Sequence, residues 1–251
     1  MTPAAPLYGD DLAYVHATGF AGHAIGAAPA ILAELDRAGL QGARVIELGC
    51  GGGDLLAALR TAGHDPVGVE PSPALRRRAR QRVPGVPVQD GTADSVDLSG
   101  AQAVVALGEV FNYLPATGRA RPLRSLFRRV AGALPSGGLL LFDLLVQGAP
   151  SLAGRGWREG EDWFVATEFV EAGDRGTRTI VTFVDPAGRG PAGRRRGSAW
   201  RRSEEVHRLR IPSRDSVVGE LREAGFAVRV RRRWGDAPLL PRRLAFLARR
   251  R

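Results

Sequence analysis

Between Arg44 and Leu145, short β-branched runs alternate with alanine-, leucine- and arginine-rich stretches of helical spacing. That rhythm calls for parallel strands joined by crossover helices, and so for a doubly wound, Rossmann-like α/β sheet. ARVIEL reads as a strand, and DLLAALRTAG as a helix closed by Gly63. PVGVE is a second strand. SPALRRRARQR is a helix with Ser72 as its N-cap and Pro73 in its first position. VPVQD and AQAVVALGE are a third and a fourth strand. RPLRSLFRRVAGAL sets Leu123, Leu126, Phe127, Val130 and Leu134 on one helix face. PSGG breaks that helix, and LLLFDLL is a fifth strand.

After Val146 the rhythm changes. QGAPSLAGRGW is a glycine- and proline-rich connection, and DWFVATEFVEAG, TRTIVTFVDPAG and SAWRRSEEVHRLRIP are strands of a meander. The loop AGRGPAGRRRG between the last two is expected to be mobile. SRDSVVGELREAG returns to a helix, with Ser213 as N-cap and Gly225 just past its end, and FAVRVRRRW and RRLAFLARR are two closing strands. The chain divides into a helical N-terminal segment (1–40), an α/β core (41–150), an inserted antiparallel β segment (151–212) and a helix with strands that complete the core (213–251).

Composition narrows the function classes. A chain of 251 residues suffices for one sizeable core. Its longest apolar run, LLLFDLLV, is far short of the roughly 20 residues of a membrane span, and MTPAAPLYGDD has no signal-peptide pattern. We expect no membrane partner. The single cysteine forbids an internal disulfide and points to the cytoplasm. The net charge of +10 invites a nucleic-acid reading, yet every basic residue is arginine. The arginines are scattered, with tight runs only at 194–196 and 231–233 and no interleaved aromatic ladder, so a solvated surface and a codon bias explain them better.

The stretch VIELGCGGGDL places Gly49, Gly51, Gly52 and Gly53 where the first strand ends and a helix begins. Ligands of such sheets bind outside the carboxyl ends of the strands. Glycines there permit positive φ and remove Cβ atoms from a ligand's path. Dinucleotides and S-adenosylmethionine (SAM) compete for the site. The dinucleotide fingerprint requires glycine at position 54, where this chain has Asp54. Glu47, just before the loop, would repel a pyrophosphate but attracts the sulfonium and ammonium of SAM. Glu70 ends the second strand and suits the ribose hydroxyls of either cofactor.

With these residues in view, the chain resembles the class I SAM-dependent methyltransferases, of the bacterial small-molecule type. The resemblance implies the seven-stranded methyltransferase fold, SAM as cofactor and S-adenosylhomocysteine as product. VIELGCGGG resembles the first family motif, with Glu47, Gly49, Cys50 and Gly51 along the methionine moiety; Cys50 packs there rather than acting as a nucleophile. VGVEPSPAL resembles the second, with Glu70, Pro71 and Ser72 at the ribose. Asp90, Gly91 and Thr92 stand in the place of the third, near adenine. VALGEVFNYL resembles the fourth, in which Leu107, Gly108 and Glu109 approach the cofactor, while Asn112 and Tyr113 join Glu109 at the active-site mouth. LAYVHATGF is similar to the family's N-terminal lid.

Candidates for the acceptor side are Tyr14, Phe111, Asn112, Tyr113 and His207, with Tyr8 as a further aromatic and Phe20 assigned to the core. Candidate catalytic groups are His207, His16 and Glu109. Glu205 and His207 share one face of a strand, a pairing that raises the imidazole pKa or fixes its tautomer. His16 lies on the lid, whereas His23 and His64 read as structural. The histidines are dispersed and no carboxylate cluster has ligand spacing, so no metal is expected. The expected function is methyl transfer to a small-molecule acceptor. A SAM-binding regulatory protein without catalysis and an RNA methyltransferase are the alternatives, and the acceptor and oligomeric state are not legible.

Overall fold

A computed structural model describes residues 7–115, 121–185 and 200–251. The loop AGRGPAGRRRG and the arginine run 194–196 lie outside the described residues. Two helices, α1 (Asp10–Gly19) and α2 (Gly22–Arg37), precede an alternating core. That core runs β1 (Arg44–Leu48), α3 (Asp54–Thr61), β2 (Asp65–Val69), α4 (Pro73–Arg82), β3 (Val88–Gln89), β4 (Ala103–Ala106), α5 (Leu123–Ala133) and β5 (Leu139–Leu145). A meander of β6 (Gly154–Glu159), β7 (Trp163–Ala172), β8 (Arg175–Val184) and β9 (Arg201–Arg210) follows. The chain ends with α6 (Arg214–Glu223), β10 (Phe226–Arg231), β11 (Arg233–Trp234), β12 (Ala237–Pro238) and β13 (Arg243–Arg250).

The main sheet has seven strands in the order β10-β13-β5-β4-β1-β2-β3. β13 runs antiparallel between β5 and β10, and β1 to β5 are parallel. Side chains alternate between two cores. Val45, Val105 and Leu141 pack with Ile31 and Leu35 of α2 and Leu55 and Leu59 of α3. Ile46, Val104 and Phe142 pack with Phe127 and Val130 of α5 and Leu221 of α6. The strand order reverses at β1, whose neighbours are β2 and β4, and a crevice opens at such a switch point.

The meander forms a separate four-stranded antiparallel sheet, β6-β7-β8-β9. Its apolar residues Trp163, Val165, Ile180 and Val184 pack on Leu12 and Val15 of α1. On another face, Ala13 of α1 meets Ala74 and Leu75 of α4. α1 therefore sits wedged between the second sheet and the core, at the crevice. Two details depart from the sequence reading. β6 lies in the stretch read as a connection: it is exposed along its length and carries Gly154 and Gly156, so no apolar alternation marks it. The strand expected through Trp234 stops at Arg231, and a β11–β12 hairpin buries Trp234 against the α2 side of the core. Among the described residues no helix is long and apolar enough to cross a membrane.

Candidate active site

The loop after β1 is tied to the end of β2. The N–H groups of Gly49 and Cys50 donate to the Val69 carbonyl at 2.7 and 3.1 Å. The Gly51 N–H donates to Glu70 Oε2 at 3.0 Å, and the Ser72 N–H to Glu70 Oε1 at 2.8 Å. Glu70 is buried, which pushes its pKa up, while the two backbone donors pull it down. The glycines serve different ends. At Gly49 (φ +68°) a Cβ would lie 2.5 Å from Val110 Cγ2, so this glycine makes room for the protein's own β4 loop. At Gly51 (φ +54°) the nearest atom to a Cβ, His16 Cε1, is 3.7 Å away, so this residue faces the crevice under α1.

Glu47 is buried at the tip of β1, and burial pushes its pKa well up. Its Oε2 has no hydrogen-bond partner among the described residues. Cys50 is buried with Leu56, Ala79 and Val83, and burial pushes its thiol pKa well up. Ser72 caps α4, accepting from the Leu75 N–H at 3.1 Å, and its hydroxyl donates to the Tyr8 carbonyl at 2.6 Å. Pro71 accepts from Arg76 through its carbonyl, and Asp90 pairs with Arg76 at 2.7 Å. Beyond Gly91, Thr92 donates its N–H to Ser95 Oγ at 3.0 Å. Asp90 to Thr92 thus follow β3, beside the end of β2.

Beside the crevice, a cavity of about 680 Å³ extends over the ends of β4 and β5. α1, the start of α2, the inner face of β7 and β8 and the β11–β12 hairpin wall it. Gly108 (φ +83°) lines it, with nothing within 4 Å of a would-be Cβ; Leu107 just before it is buried. Glu109 is bracketed by Arg178, at 3.0 Å, and Arg243. Burial alone would raise the Glu109 pKa, but the two guanidinium groups outweigh it and hold the carboxyl below the usual carboxylate range. Glu109, a candidate base or arginine partner from sequence, is thus paired with two arginines in the fold.

Asp143 lies at the back of the cavity and is 1% exposed. Its Oδ1 accepts from the N–H groups of Gly108 and Glu109 at 3.0 and 2.9 Å. Its Oδ2 accepts from Trp234 Nε1 at 3.3 Å and sits 2.9 Å from His23 Nε2. The Asp143 hydrogen bond raises the His23 pKa against the effect of burial. His16 also lines the cavity, and burial, with the neighbouring His23, pushes it down to about 4, so it is neutral at pH 7.

The Tyr113 and Tyr8 hydroxyls meet at 2.8 Å on the cavity wall, and burial raises both phenols. His207 is fully buried behind that pair, its ring centroid 5.2 Å from Tyr8 and 5.5 Å from Tyr113. Its Nε2 donates to Glu205 Oε2 at 2.9 Å, and Glu205 also accepts from the N–H groups of Tyr8 and Gly9. The expected Glu205–His207 pairing is present, but it clasps the N-terminal segment and His207 does not reach the cavity.

Besides His207, three acceptor-side candidates sit elsewhere than expected. Phe111 packs in the core against Phe127 and Phe142. Asn112 is fully buried, donating to the carbonyls of Leu145 and Arg210 and accepting from the Leu145 N–H, so it pins the loop to β5 and β9. Tyr14 points to a separate cleft of about 430 Å³ on the other side of α1. There its hydroxyl donates to Asp162 at 2.6 Å, which with burial pushes its pKa up to about 12, and Arg78 lies over its ring. The sequence reading took His23 as structural and did not single out Asp143, Arg178 or Arg243. Asp143 carried a signal, since it is the one acid in the otherwise apolar run LLLFDLLV. Among the described residues no group of three or more His, Cys, Asp or Glu side chains could hold a metal ion.

Comparison with known proteins matches the chain to a family. A profile described as a methyltransferase domain matches residues 20–229. An uncharacterized methyltransferase of Oceanobacillus iheyensis is 42% identical over 48 residues, which are 19% of this chain and 22% of that protein. The match thus spans about a fifth of the curated relative's length. The sugar N-methyltransferase KedS8 of a Streptoalloteichus species superposes with a TM-score of 0.72 at 23% identity, covering 100% of this chain and 98% of its own. CalS10, an amino pentose methyltransferase of Micromonospora echinaspora solved with SAM bound, does so with a TM-score of 0.69 at 22% identity, covering 98% and 99%. At these identities the structural likeness is one of fold.

Proposed function

The chain belongs to the methyltransferase domain family, and from that premise we propose that it transfers a methyl group from SAM to a small-molecule acceptor. The observation that carries this reading is the pairing of the Gly51–Glu70 crevice with a cavity beyond Gly108. The residues present fit the cofactor. Glu47 offers an orphaned buried carboxyl oxygen, and a cationic group beside it would favour its ionised form. Glu70 uses one lone pair on each oxygen for backbone donors and keeps the others for ribose hydroxyls. Gly51 leaves the approach open. When bound, SAM supplies an electrophilic methyl on a sulfonium leaving group.

The protein's part is then positioning and exclusion of water. Alignment of two reactants in a closed site is worth about 7–11 kcal/mol in favourable cases. α1 closes the crevice, with Tyr8 held by Glu205, Ser72 and Tyr113. The cavity floor is polar and its side walls, Leu12, Val165 and Ile180, are apolar, which suits a compact acceptor with a few polar groups and not a polymer. The sugar and amino pentose methyltransferases of the same fold support an acceptor of that size. The one cysteine, buried and unpaired, fits a reducing cytoplasm.

The test is calorimetric titration with S-adenosylhomocysteine, with Gly51→Arg as control, followed by incubation with SAM and a metabolite library. Binding lost in the control, and a product heavier by one CH2, are expected. A wild-type protein that binds no adenosyl ligand would overturn the proposal.

A further inference from the structure

We propose that His23, held by Asp143, is the proton acceptor of the reaction and that the accepting atom is accordingly a nitrogen or oxygen that sheds a proton. This rests on the methyltransferase reading above. Asp143 has four hydrogen-bond partners, two on each oxygen. Three of them, two backbone N–H groups and an indole N–H, can only donate, so those three positions on the carboxyl accept. In the proposed arrangement the fourth runs the same way, and His23 Nε2 carries hydrogen and donates. In the neutral ring this leaves the lone pair on Nδ1, for which no partner is present among the described residues. A buried carboxylate that fixes a histidine tautomer and stabilises the imidazolium is the arrangement that makes histidine a general base in the serine hydrolases.

Placement supports the role. The His23 side chain is 38% exposed and lines the cavity, whereas Asp143 is buried behind it. Through the N–H groups of Gly108 and Glu109, Asp143 is registered to the β4 loop at the edge of the cofactor crevice. The other charged or titratable groups facing His23 are Glu109, Arg243 and His16. None competes as a base: Glu109 is held ionised by two arginines, His16 is driven to low basicity by burial, and Tyr8 and Tyr113 are buried phenols that stay protonated. In the transfer, the acceptor's lone pair forms the new bond to the methyl carbon and the carbon–sulfur bond breaks, its pair remaining on sulfur. The acceptor's N–H or O–H proton passes to His23 Nδ1, its bonding pair staying on the acceptor atom. The imidazolium, paired with Asp143, then returns that proton to water at its exposed edge.

The first test is acceptor-independent. Long-range 1H–15N correlation on histidine-labelled full-length protein with S-adenosylhomocysteine bound should show neutral His23 with its hydrogen on Nε2, and Asp143→Asn should lower its titration midpoint. A hydrogen on Nδ1, or a midpoint indifferent to Asp143→Asn, overturns the proposal. The second test is His23→Gln, which keeps an amide donor for Asp143, assayed with a panel of amino and hydroxy sugars. A structural role predicts full activity in this variant. A base role predicts a kcat loss of roughly 10²–10⁴-fold, loss of the acidic limb of the pH–kcat profile, and S-adenosylhomocysteine affinity within twofold of wild type. A loss below threefold overturns the proposal. Where the wild type turns over no probe, the tautomer measurement decides alone. Wild-type protein that fails to bind S-adenosylhomocysteine indicts the methyltransferase reading itself, which the tautomer result does not touch.

Discussion

Alanine at Gly49 and alanine at Gly51 should fail in different ways, because one glycine faces protein and the other faces the crevice. Both residues have positive φ, +68° and +54°. Holding an alanine in that region costs about 1–2 kcal/mol. At Gly49 the new Cβ would also lie 2.5 Å from Cγ2 and 3.2 Å from Cγ1 of Val110. Val110 cannot swing aside, since it opens a single helical turn (Val110–Asn112) pinned by buried Phe111 and Asn112. Overpacking adds about 1–3 kcal/mol, so Gly49→Ala should lose about 2–5 kcal/mol in all. At Gly51 the contact is an ordinary 3.7 Å, so only the strain of about 1–2 kcal/mol applies. Urea unfolding without ligand reads these losses as midpoint shifts at constant slope. Calorimetry with S-adenosylhomocysteine should reverse the emphasis, with Gly51→Ala weakening binding roughly tenfold or more, about 1.4 kcal/mol per decade. Equal destabilisation by both substitutions, or wild-type affinity in Gly51→Ala, would refute the division of labour.

Glu70→Ala should weaken S-adenosylhomocysteine binding more than His207→Ala does, by about 1.5–3 kcal/mol for lost charge-assisted hydrogen bonds, and calorimetry compares the two. Glu109→Gln leaves Arg178 and Arg243 without their buried counter-charge and should destabilise the fold by about 3–5 kcal/mol in urea titrations. The Glu109 pKa is depressed on folding, so its stabilisation is complete above the ordinary carboxylate pKa and lost as pH falls through the lower folded value. Wild-type stability should therefore decline at acid pH more than that of Glu109→Gln. His16 adds a slope of the same sign at higher pH: its pKa falls from 6.5 to about 4 on folding, so between those values the unfolded chain binds the extra proton and stability rises with pH. His16→Gln should flatten that slope in urea midpoints measured from pH 4 to 6.5.

The core was legible because its signals are local. Helix caps at Ser72 and Ser213, stops at Gly63 and Gly225, and period-two strands each depend on neighbours within a turn or two of chain. β6 escaped because an exposed edge strand is held by backbone pairing to β7 and needs no apolar face. Phe111 and Asn112 were misread for a related reason. They sit in a motif that borders the cofactor, and a motif says which backbone passes the site but not which way each side chain turns. In VFN the backbone passes the site while the phenyl ring and the amide turn inward to β5 and β9.

The same physics explains why the cofactor half reads from sequence while the acceptor half does not. A crevice at a strand end needs a short contiguous run of residues, and Glu47 to Gly53 supply it within one turn of chain. A proton acceptor needs two side chains at hydrogen-bond distance, and the fold is free to take them from any two elements. His23 and Asp143 are 120 residues apart in sequence and 2.9 Å apart in space. Their only local trace is energetic. An ionised carboxylate in the fully buried strand β5 would cost several kcal/mol unless its oxygens were satisfied, so an acid inside an apolar run implies donors waiting in the fold. The indole of Trp234 and the two N–H groups beyond β4 supply three of those donors and saturate Asp143 on the protein side. The fourth position faces His23 Nε2 at 2.9 Å, and a donor there leaves Nδ1 of the neutral ring as the basic nitrogen.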